Sequence, residues 1–93
     1  MAREIRKYKL TNFPGPTTVQ IPRESHHLYI ESGGIFPYLW SLIDPGRDWI
    51  KEESTFVAYT EGALVEGYPQ YIGSVPLYWD TKTYHVFEVP YGA

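Results

Sequence analysis

The chain has 93 residues, a formal net charge of −3 and no cysteine. This length suits one small domain spanning residues 1–93, and the lack of cysteine excludes disulfides and thiolate metal sites as supports for its core. There is no uncharged apolar run of about 18 residues and no apolar stretch of a signal peptide, so we expect a cytoplasmic protein without a membrane span.

The charge is unevenly distributed along the chain. Residues 1–9 hold four basic side chains and one acidic side chain, whereas the remaining residues hold four basic and ten acidic side chains. Affinity for nucleic acid rises with the number of phosphates neutralised, so the acidic body argues against generic DNA or RNA binding. The basic N-terminal segment could contact a phosphate, but we interpret it as the solvated face of an edge strand, where lysine discourages unwanted pairing.

The first part of the chain alternates between apolar and polar residues, with turn signals in between. Residues 3–10 form a predicted strand with Tyr8 and Leu10 facing inward, and two prolines end it because they lack the donors of a sheet ladder. A short β-branched run and a second alternating run follow, and a turn rich in serine and glycine comes next. These two further predicted strands are residues 17–22 and 26–31.

A nearly continuous apolar run, FPYLWSLIDP at residues 36–45, fits a helical stripe and a strand equally well by periodicity. Pro37 and Pro45 are separated by seven residues, which is short for a helix. We therefore predict a central strand that is buried on both faces. A type II turn is predicted at residues 44–47, because proline and glycine occupy the positions which that turn favours.

The second half of the chain adds further short elements. Residues 48–54 could form one helical turn capped by Asp48 or the tip of a long hairpin. Residues 55–62 and 70–75 are predicted strands, with Gly73 marking a bulge or a close approach, and a last hairpin follows. The sequence therefore predicts an all-β fold, a small antiparallel sandwich or flattened barrel of six to eight short strands with at most one short helical turn.

An ordered set of short segments runs through most of the chain. The segments are IRKYKL at 5–10, IP at 21–22, PYLWSLIDP at 37–45, TFVAYTEG at 55–62, YIGSV at 71–75 and YHVFEV at 84–89. In order and spacing this set resembles a family of small phage- and prophage-encoded domains of unknown function. Two departures are Ser41, where the family commonly has alanine, and a longer and more aromatic segment at 62–80. The resemblance implies a phage origin and a size class, and it carries over no catalytic residue.

Residue patterns that support catalysis or metal binding are weak in this sequence. His26 and His27 are neighbours on a predicted strand and point to opposite faces, so one metal ion would rarely bind both. Neither a nucleophile elbow nor a phosphate-binding glycine loop occurs, and nothing in the sequence orients Ser74. We therefore expect a protein that is not an enzyme and that needs no cofactor or metal.

Aromatic side chains are the unusual feature of the composition, with nine tyrosines, four phenylalanines and three tryptophans. Tryptophan, tyrosine and arginine dominate binding hot spots, and aromatic rings also stack on nucleotide bases. Rings near predicted turns could instead cap the ends of a thin barrel. The candidate binding residues are Arg47, Trp49, Tyr68, Tyr71, Tyr78 and Trp79.

These features favour a non-enzymatic accessory binding protein of a phage, acting in counter-defence or host takeover in the host cytoplasm. One possible target is a host protein, bound through an aromatic patch or a sheet edge. The other is a small nucleotide signal held between rings at a subunit interface, with Arg47 or the basic N-terminal cluster near its phosphate. The alternative function is a minor structural component of the virion or tail. A thin core and exposed aromatics predict a homodimer under each hypothesis.

Overall fold

Seven antiparallel strands form two sheets in the computed structural model, which describes residues 2–47, 49–76 and 82–89. Its described residues contain no α-helix, and the two sheets form an unclosed sandwich, so the predicted fold class is confirmed. No helix in these ranges is long and apolar enough to cross a membrane. The strands are β1 (Glu4–Lys9), β2 (Thr17–Pro22), β3 (His26–Glu31), β4 (Tyr38–Ile43), β5 (Lys51–Tyr59), β6 (Gln70–Pro76) and β7 (Thr83–Val89).

The chain passes repeatedly between the two sheets. The three-stranded sheet has the order β1-β4-β3 and the four-stranded sheet the order β2-β5-β7-β6. Hairpin neighbours β3 and β4 pair within the first sheet, and β6 and β7 pair within the second. The predicted central position of β4 is confirmed, because β4 pairs with β1 on one side and β3 on the other.

The prediction that β4 is buried on both faces is wrong. Its side chains alternate between fully buried and half-buried positions along the strand. Leu39 and Ile43 face the core, whereas Tyr38 and Trp40 lie half-buried on the outer face of the three-stranded sheet. The run looked like a buried strand because large aromatic residues occupy its outer positions.

The core lies between the inner faces of the two sheets. Leu10 is fully buried and Tyr8 packs partly against the core, which confirms the predicted inward face of β1. Phe13, just after β1, packs edge-on against Tyr84 of β7, with their ring centroids 5.6 Å apart. Each fully buried large apolar side chain contributes about 1.5–3 kcal/mol to folding. The buried cluster is Leu10, Phe13, Ile21, Ile30, Leu39, Phe56, Val75, Tyr84 and Val86.

At one side of the sandwich, the edge strands β3 and β6 approach each other. A Cβ atom at Gly73 would lie 3.5 Å from the backbone nitrogen of Ile30 and 3.6 Å from its Cβ. The β6–β7 pairing shifts register between Tyr71 and Gly73, as a bulge requires. Gly73 therefore marks both a bulge and a close approach, as its position in the sequence indicated.

The connection between β4 and β5 differs from the prediction. Residues Pro45–Arg47 form a 3₁₀ turn instead of a type II turn. The Asp44 side chain stabilises it, because Oδ1 accepts a hydrogen bond from the Gly46 amide at 3.0 Å. Of the two alternatives for 48–54, the helical turn is wrong for residues 51–54, which are extended in β5. The hairpin alternative is wrong as well, because β4 and β5 lie in different sheets. The proposed cap Asp48 lies outside the described residues.

Candidate functional site

A chain of hydrogen bonds joins three side chains on the outer face of the four-stranded sheet. The Tyr71 hydroxyl lies 2.6 Å from Ser74 Oγ, which in turn lies 2.7 Å from His85 Nδ1. Ser74 and His85 are directly opposite each other in the β6–β7 pairing. Residues three apart on a regular strand point to opposite faces, so the β6 bulge is what brings Tyr71 and Ser74 to the same face.

Aromatic rings form a row beside this hydrogen-bonded chain. The Phe87 ring lies edge-to-face between Tyr59 on β5 and Tyr71 on β6, with centroid separations of 5.7 Å and 5.5 Å. Edge-to-face contacts of this kind favour a fixed ring arrangement. The Tyr71 ring remains 55% exposed, so it offers a surface on which a flat ligand could stack. We call Tyr59, Tyr71, Ser74, His85 and Phe87 the Tyr71 cluster.

His85 also lines a recess at the end of the four-stranded sheet. The recess has a volume of about 710 Å³, and its other lining residues are Thr60, Glu61, Lys82 and Thr83. This volume lies within the ~300–1,000 Å³ range of small-molecule sites. Because Ser74 holds His85 through Nδ1, the opposite ring nitrogen, Nε2, is the one available to a ligand. The lining combines hydroxyl, ammonium, imidazole and carboxylate groups, which suits a polar ligand.

A second polar network lies partly buried between the sheets. His27 Nδ1 lies 2.8 Å from Ser41 Oγ on β4, and His27 Nε2 lies 3.3 Å from Glu88 Oε2 on β7. The hydrogen bond from His27 holds the pKa of Glu88 below its ordinary value. Burial acts in the opposite direction but is outweighed, and the charge of His27 and a hydrogen bond from Ser54 lower the pKa further.

This network has the composition of a hydrolytic triad but not its accessibility. Ser41 is 0% exposed, so a substrate cannot reach its hydroxyl in this arrangement. His27 also packs edge-on against Phe56 of the opposite sheet, with centroids 5.3 Å apart. The trio therefore acts as a polar bridge between the two sheets. Ser41, the residue that departs from the resembled family, supplies one end of this bridge.

The outer face of the three-stranded sheet combines lysines with aromatic rings. Lys7 Nζ lies 4.7 Å from the centroid of the Tyr38 ring and 5.7 Å from that of Trp40. Tyr29 stacks on Trp40 with centroids 6.0 Å apart, and Trp40 Nε1 donates to Glu31 Oε1 at 3.2 Å. We call this surface the lysine–aromatic face, and its residues are Lys7, Lys9, Tyr29, Glu31, Tyr38 and Trp40.

The predicted binding residues do not all lie in one place. Tyr71 lies in the Tyr71 cluster, whereas Tyr68 precedes β6, is 97% exposed and lines a separate recess of about 290 Å³. Trp49, 80% exposed, precedes β5, and Arg47 ends the 3₁₀ turn. Two further candidates, Tyr78 and Trp79, lie outside the described residues.

Sequence reasoning missed the residues that complete the Tyr71 cluster. It found nothing to orient Ser74, yet both Tyr71 and His85 lie within hydrogen-bond distance of its hydroxyl. The sequence feature that could have indicated this cluster is Gly73. A bulge at this glycine reverses which side chains of β6 point to each face of the sheet. Placing Ser74 opposite His85 also requires the register of the β6–β7 hairpin, which alternation alone does not define.

Metal binding would require a cluster of ligating side chains. Within residues 2–47, 49–76 and 82–89, no group of three or more histidine, cysteine, aspartate or glutamate side chains is placed to hold a metal ion. His85 is close to Ser74 and Tyr71, whose hydroxyls are weak metal ligands. The Tyr71 cluster is therefore better suited to hydrogen bonding and stacking than to coordination.

Comparison with protein families identifies the family of this chain. The model of a domain of unknown function, DUF7352, matches residues 1–92. The chain belongs to this family. The match agrees with the expected membership of a family of unknown function, and the expected phage origin stays a prediction. Comparisons with curated proteins and with solved structures each found no match.

Proposed function

We propose that this DUF7352 domain is a non-enzymatic binding protein that takes a small, anionic, nucleotide-like ligand at the Tyr71 cluster and its adjoining recess. The observation that carries this proposal is the chain of hydrogen bonds from Tyr71 through Ser74 to His85. This chain holds the imidazole of His85 at a recess of about 710 Å³. Sites for small ligands combine a concave surface with a few fixed polar groups and apolar rings.

The recess has the groups that a phosphate would need. When Tyr71 donates to Ser74 and Ser74 donates to His85 Nδ1, the proton of the imidazole is on Nε2, which can donate to an anionic oxygen. The Lys82 ammonium and the Thr60 and Thr83 hydroxyls line the same recess. Phosphate oxygens accept hydrogen bonds from all of these groups, and those from charged donors are the stronger ones.

The aromatic row supplies the complementary apolar contact. Bases stack on aromatic side chains for about 1–3 kcal/mol each, and this contact tolerates different bases. The exposed ring of Tyr71 is held edge-on against Phe87, so stacking on it would cost little further side-chain entropy. Glu61 in the recess can accept a hydrogen bond from an amino group or a sugar hydroxyl.

Binding without catalysis fits the polar contacts of the cluster. A serine nucleophile needs a base that is itself oriented by a third group. Among the described residues, His85 contacts Ser74 and no carboxylate, so none of them orients the histidine as a base. Tyr71 also shares the Ser74 hydroxyl, which supports a positioning role for this serine.

The resemblance to phage-encoded domains extends the proposal to a biological role. An accessory protein that sequesters a nucleotide signal would blunt a host defence that depends on that signal. A host protein is the second candidate target, and the highly exposed side chains of Trp49, Leu64 and Tyr68 favour it. These residues belong to connecting segments, whereas the Tyr71 cluster lies on paired strands that hold its geometry.

Isothermal titration calorimetry with ATP, GTP, a cyclic dinucleotide and inorganic phosphate tests the proposal. We expect at least one nucleotide to bind more tightly than inorganic phosphate, and His85→Ala to weaken that binding by about tenfold or more, about 1.4 kcal/mol. Gln20→Ala is the matched control, since Gln20 lies on the same outer face but pairs with Glu53. No binding by any nucleotide, or equal binding by His85→Ala, would reject the proposal.

A further inference from the structure

The outer face of the three-stranded sheet is ordered in rows by its cross-strand register. Each row runs from edge strand β1 through central β4 to edge strand β3, and its members point to the same side. In one row the two ends carry opposite charges, Lys9 on β1 and Glu31 on β3. The three rows are Lys9–Tyr38–Glu31, Lys7–Trp40–Tyr29 and Ile5–Leu42–His26.

We propose that the lysine–aromatic face is a homodimer interface, in which a second copy packs face to face about a two-fold axis parallel to β4. Such an axis places β1 of one copy over β3 of the other at the same level along the strands. Lys9 then faces Glu31 of the second copy, and the symmetry repeats this pair. An isologous interface needs this kind of self-complementary patch.

The remaining rows strengthen the same arrangement. Lys7 would lie over Tyr29 of the second copy, extending the cation–π contacts that it already makes within its own chain. Trp40 would lie at the centre, close to its own symmetry mate, where aromatic residues contribute most to binding. Tyr29 is 48% exposed and Ile5 61% exposed, so contact with a second copy would remove substantial apolar surface from water.

The polar groups of this face are compatible with the dimer. Glu31 accepts the Trp40 indole hydrogen bond through Oε1, which leaves Oε2 to meet a lysine. Lys9 Nζ lies 5.5 Å from the centroid of the Phe36 ring of its own chain. Face-to-face sheets pack about 10 Å apart, so long side chains from both faces can meet.

The interface lies on the opposite sheet from the Tyr71 cluster. The proposal therefore goes beyond ligand binding and does not depend on it, because the recess stays open in each copy. The charge pattern favours a second copy over an unrelated partner. An unrelated acidic surface would be attracted by the lysines but repelled by Glu31, whereas a second copy satisfies both ends of the row.

Charge reversal with rescue tests the dimer. Sedimentation equilibrium and light scattering would be measured for the native chain, Lys9→Glu, Glu31→Lys and the double variant with both changes. We expect the native chain to have twice its 10.8 kDa mass. Each single reversal should raise the dissociation constant at least about tenfold, and the double variant should return it to within about threefold of the native value.

Two controls make the result specific to this face. Glu53→Lys reverses a charge on the outer face of the other sheet and should leave the dimer unchanged. Circular dichroism and thermal melting of each variant should match the native chain, because Lys9 and Glu31 are exposed. A monomeric native chain, single reversals without effect, or a double variant that stays monomeric while folded would each overturn the proposal.

Discussion

His27 on β3 hydrogen-bonds Glu88 on β7, 61 residues away, and this contact spans the space between the two sheets. The same imidazole contacts Ser41 through its other nitrogen, so one side chain links three strands. Burying polar groups is costly unless they find partners, and here the partners come from both layers. The bridge therefore constrains how the two sheets are placed relative to each other.

Replacing Glu88 should change the acid sensitivity of the fold. The folded-state pKa of Glu88 is below its ordinary value of 4.5, so its stabilising contribution is present above that value. This contribution is lost as pH falls from the ordinary value through the lowered one. Glu88→Gln should destabilise the domain by about 1 kcal/mol at pH 7 and flatten the acid dependence of its free energy of unfolding.

Urea denaturation at a series of pH values between neutral and acid measures this effect. Glu53→Gln serves as the control, because Glu53 is exposed and its hydrogen bond to Gln20 lies on the outer face. A parallel pH dependence in Glu88→Gln and the native chain would show that the His27–Glu88 contact contributes nothing measurable.

Ser41→Ala should destabilise the domain although it removes one atom only. The change leaves His27 Nδ1 without its described partner, beside a position that is itself fully buried. An unsatisfied buried polar group costs about 1–3 kcal/mol. The free energy of unfolding should therefore fall by at least about 1 kcal/mol in urea denaturation. A free energy of unfolding that Ser41→Ala leaves unchanged would show that the His27–Ser41 hydrogen bond contributes nothing measurable.

Local patterns predicted the strands well because each strand carries its own signal. The inward positions of Tyr8 and Leu10 follow from alternation, and the two prolines that flank β4 distinguish a strand from a helix. The bulge in β6 was indicated by one residue, Gly73. These features depend on neighbours in sequence, so a single chain contains the necessary information.

The site residues depend on neighbours in space, which local patterns do not define. Alternation cannot show that His27 meets Glu88, since this requires the assignment of β3 and β7 to different sheets. The outward rings of β4 have the same composition as core residues, so the sequence suggested burial where the structure has an open face. Ser74 meets His85 only once register and bulge are both known.

Gly73→Ala should be tolerated, whereas Gly73→Leu should separate the edge strands. A methyl group at this position would meet Ile30 atoms at 3.5–3.7 Å, which is ordinary van der Waals contact. A leucine side chain extends beyond that gap, and overpacking of this kind costs about 1–3 kcal/mol. Hydrogen exchange of the β3 and β6 amides measures the response. Equal protection in the two variants would contradict the close approach of these strands.

Tyr71→Phe tests the chain of hydrogen bonds from Tyr71 through Ser74 to His85 at the proposed ligand site. Removing the phenol hydroxyl frees Ser74 from one partner and should change the tautomer balance of His85, which nitrogen NMR of the imidazole reports. Nucleotide affinity should fall by about threefold to tenfold while the ring remains available for stacking. Tyr59→Phe, which alters another ring of the same row, should leave the His85 signals unchanged. Identical His85 spectra in the native chain, Tyr71→Phe and Tyr59→Phe would argue against the chain of hydrogen bonds from Tyr71 through Ser74 to His85.

Lys82→Ala and Arg47→Ala distinguish two locations for the phosphate of a bound nucleotide. The sequence alone suggested Arg47 beside Trp49, whereas the recess geometry favours Lys82 because it lines the same cavity as His85. A charged donor to a phosphate contributes about 1.5–3 kcal/mol, so Lys82→Ala should weaken nucleotide binding about tenfold or more. Arg47→Ala should change it by less than about twofold. Calorimetric titration of both variants with the tightest nucleotide decides between them, and abolished binding in Arg47→Ala alone would move the ligand site to the β4–β5 connection.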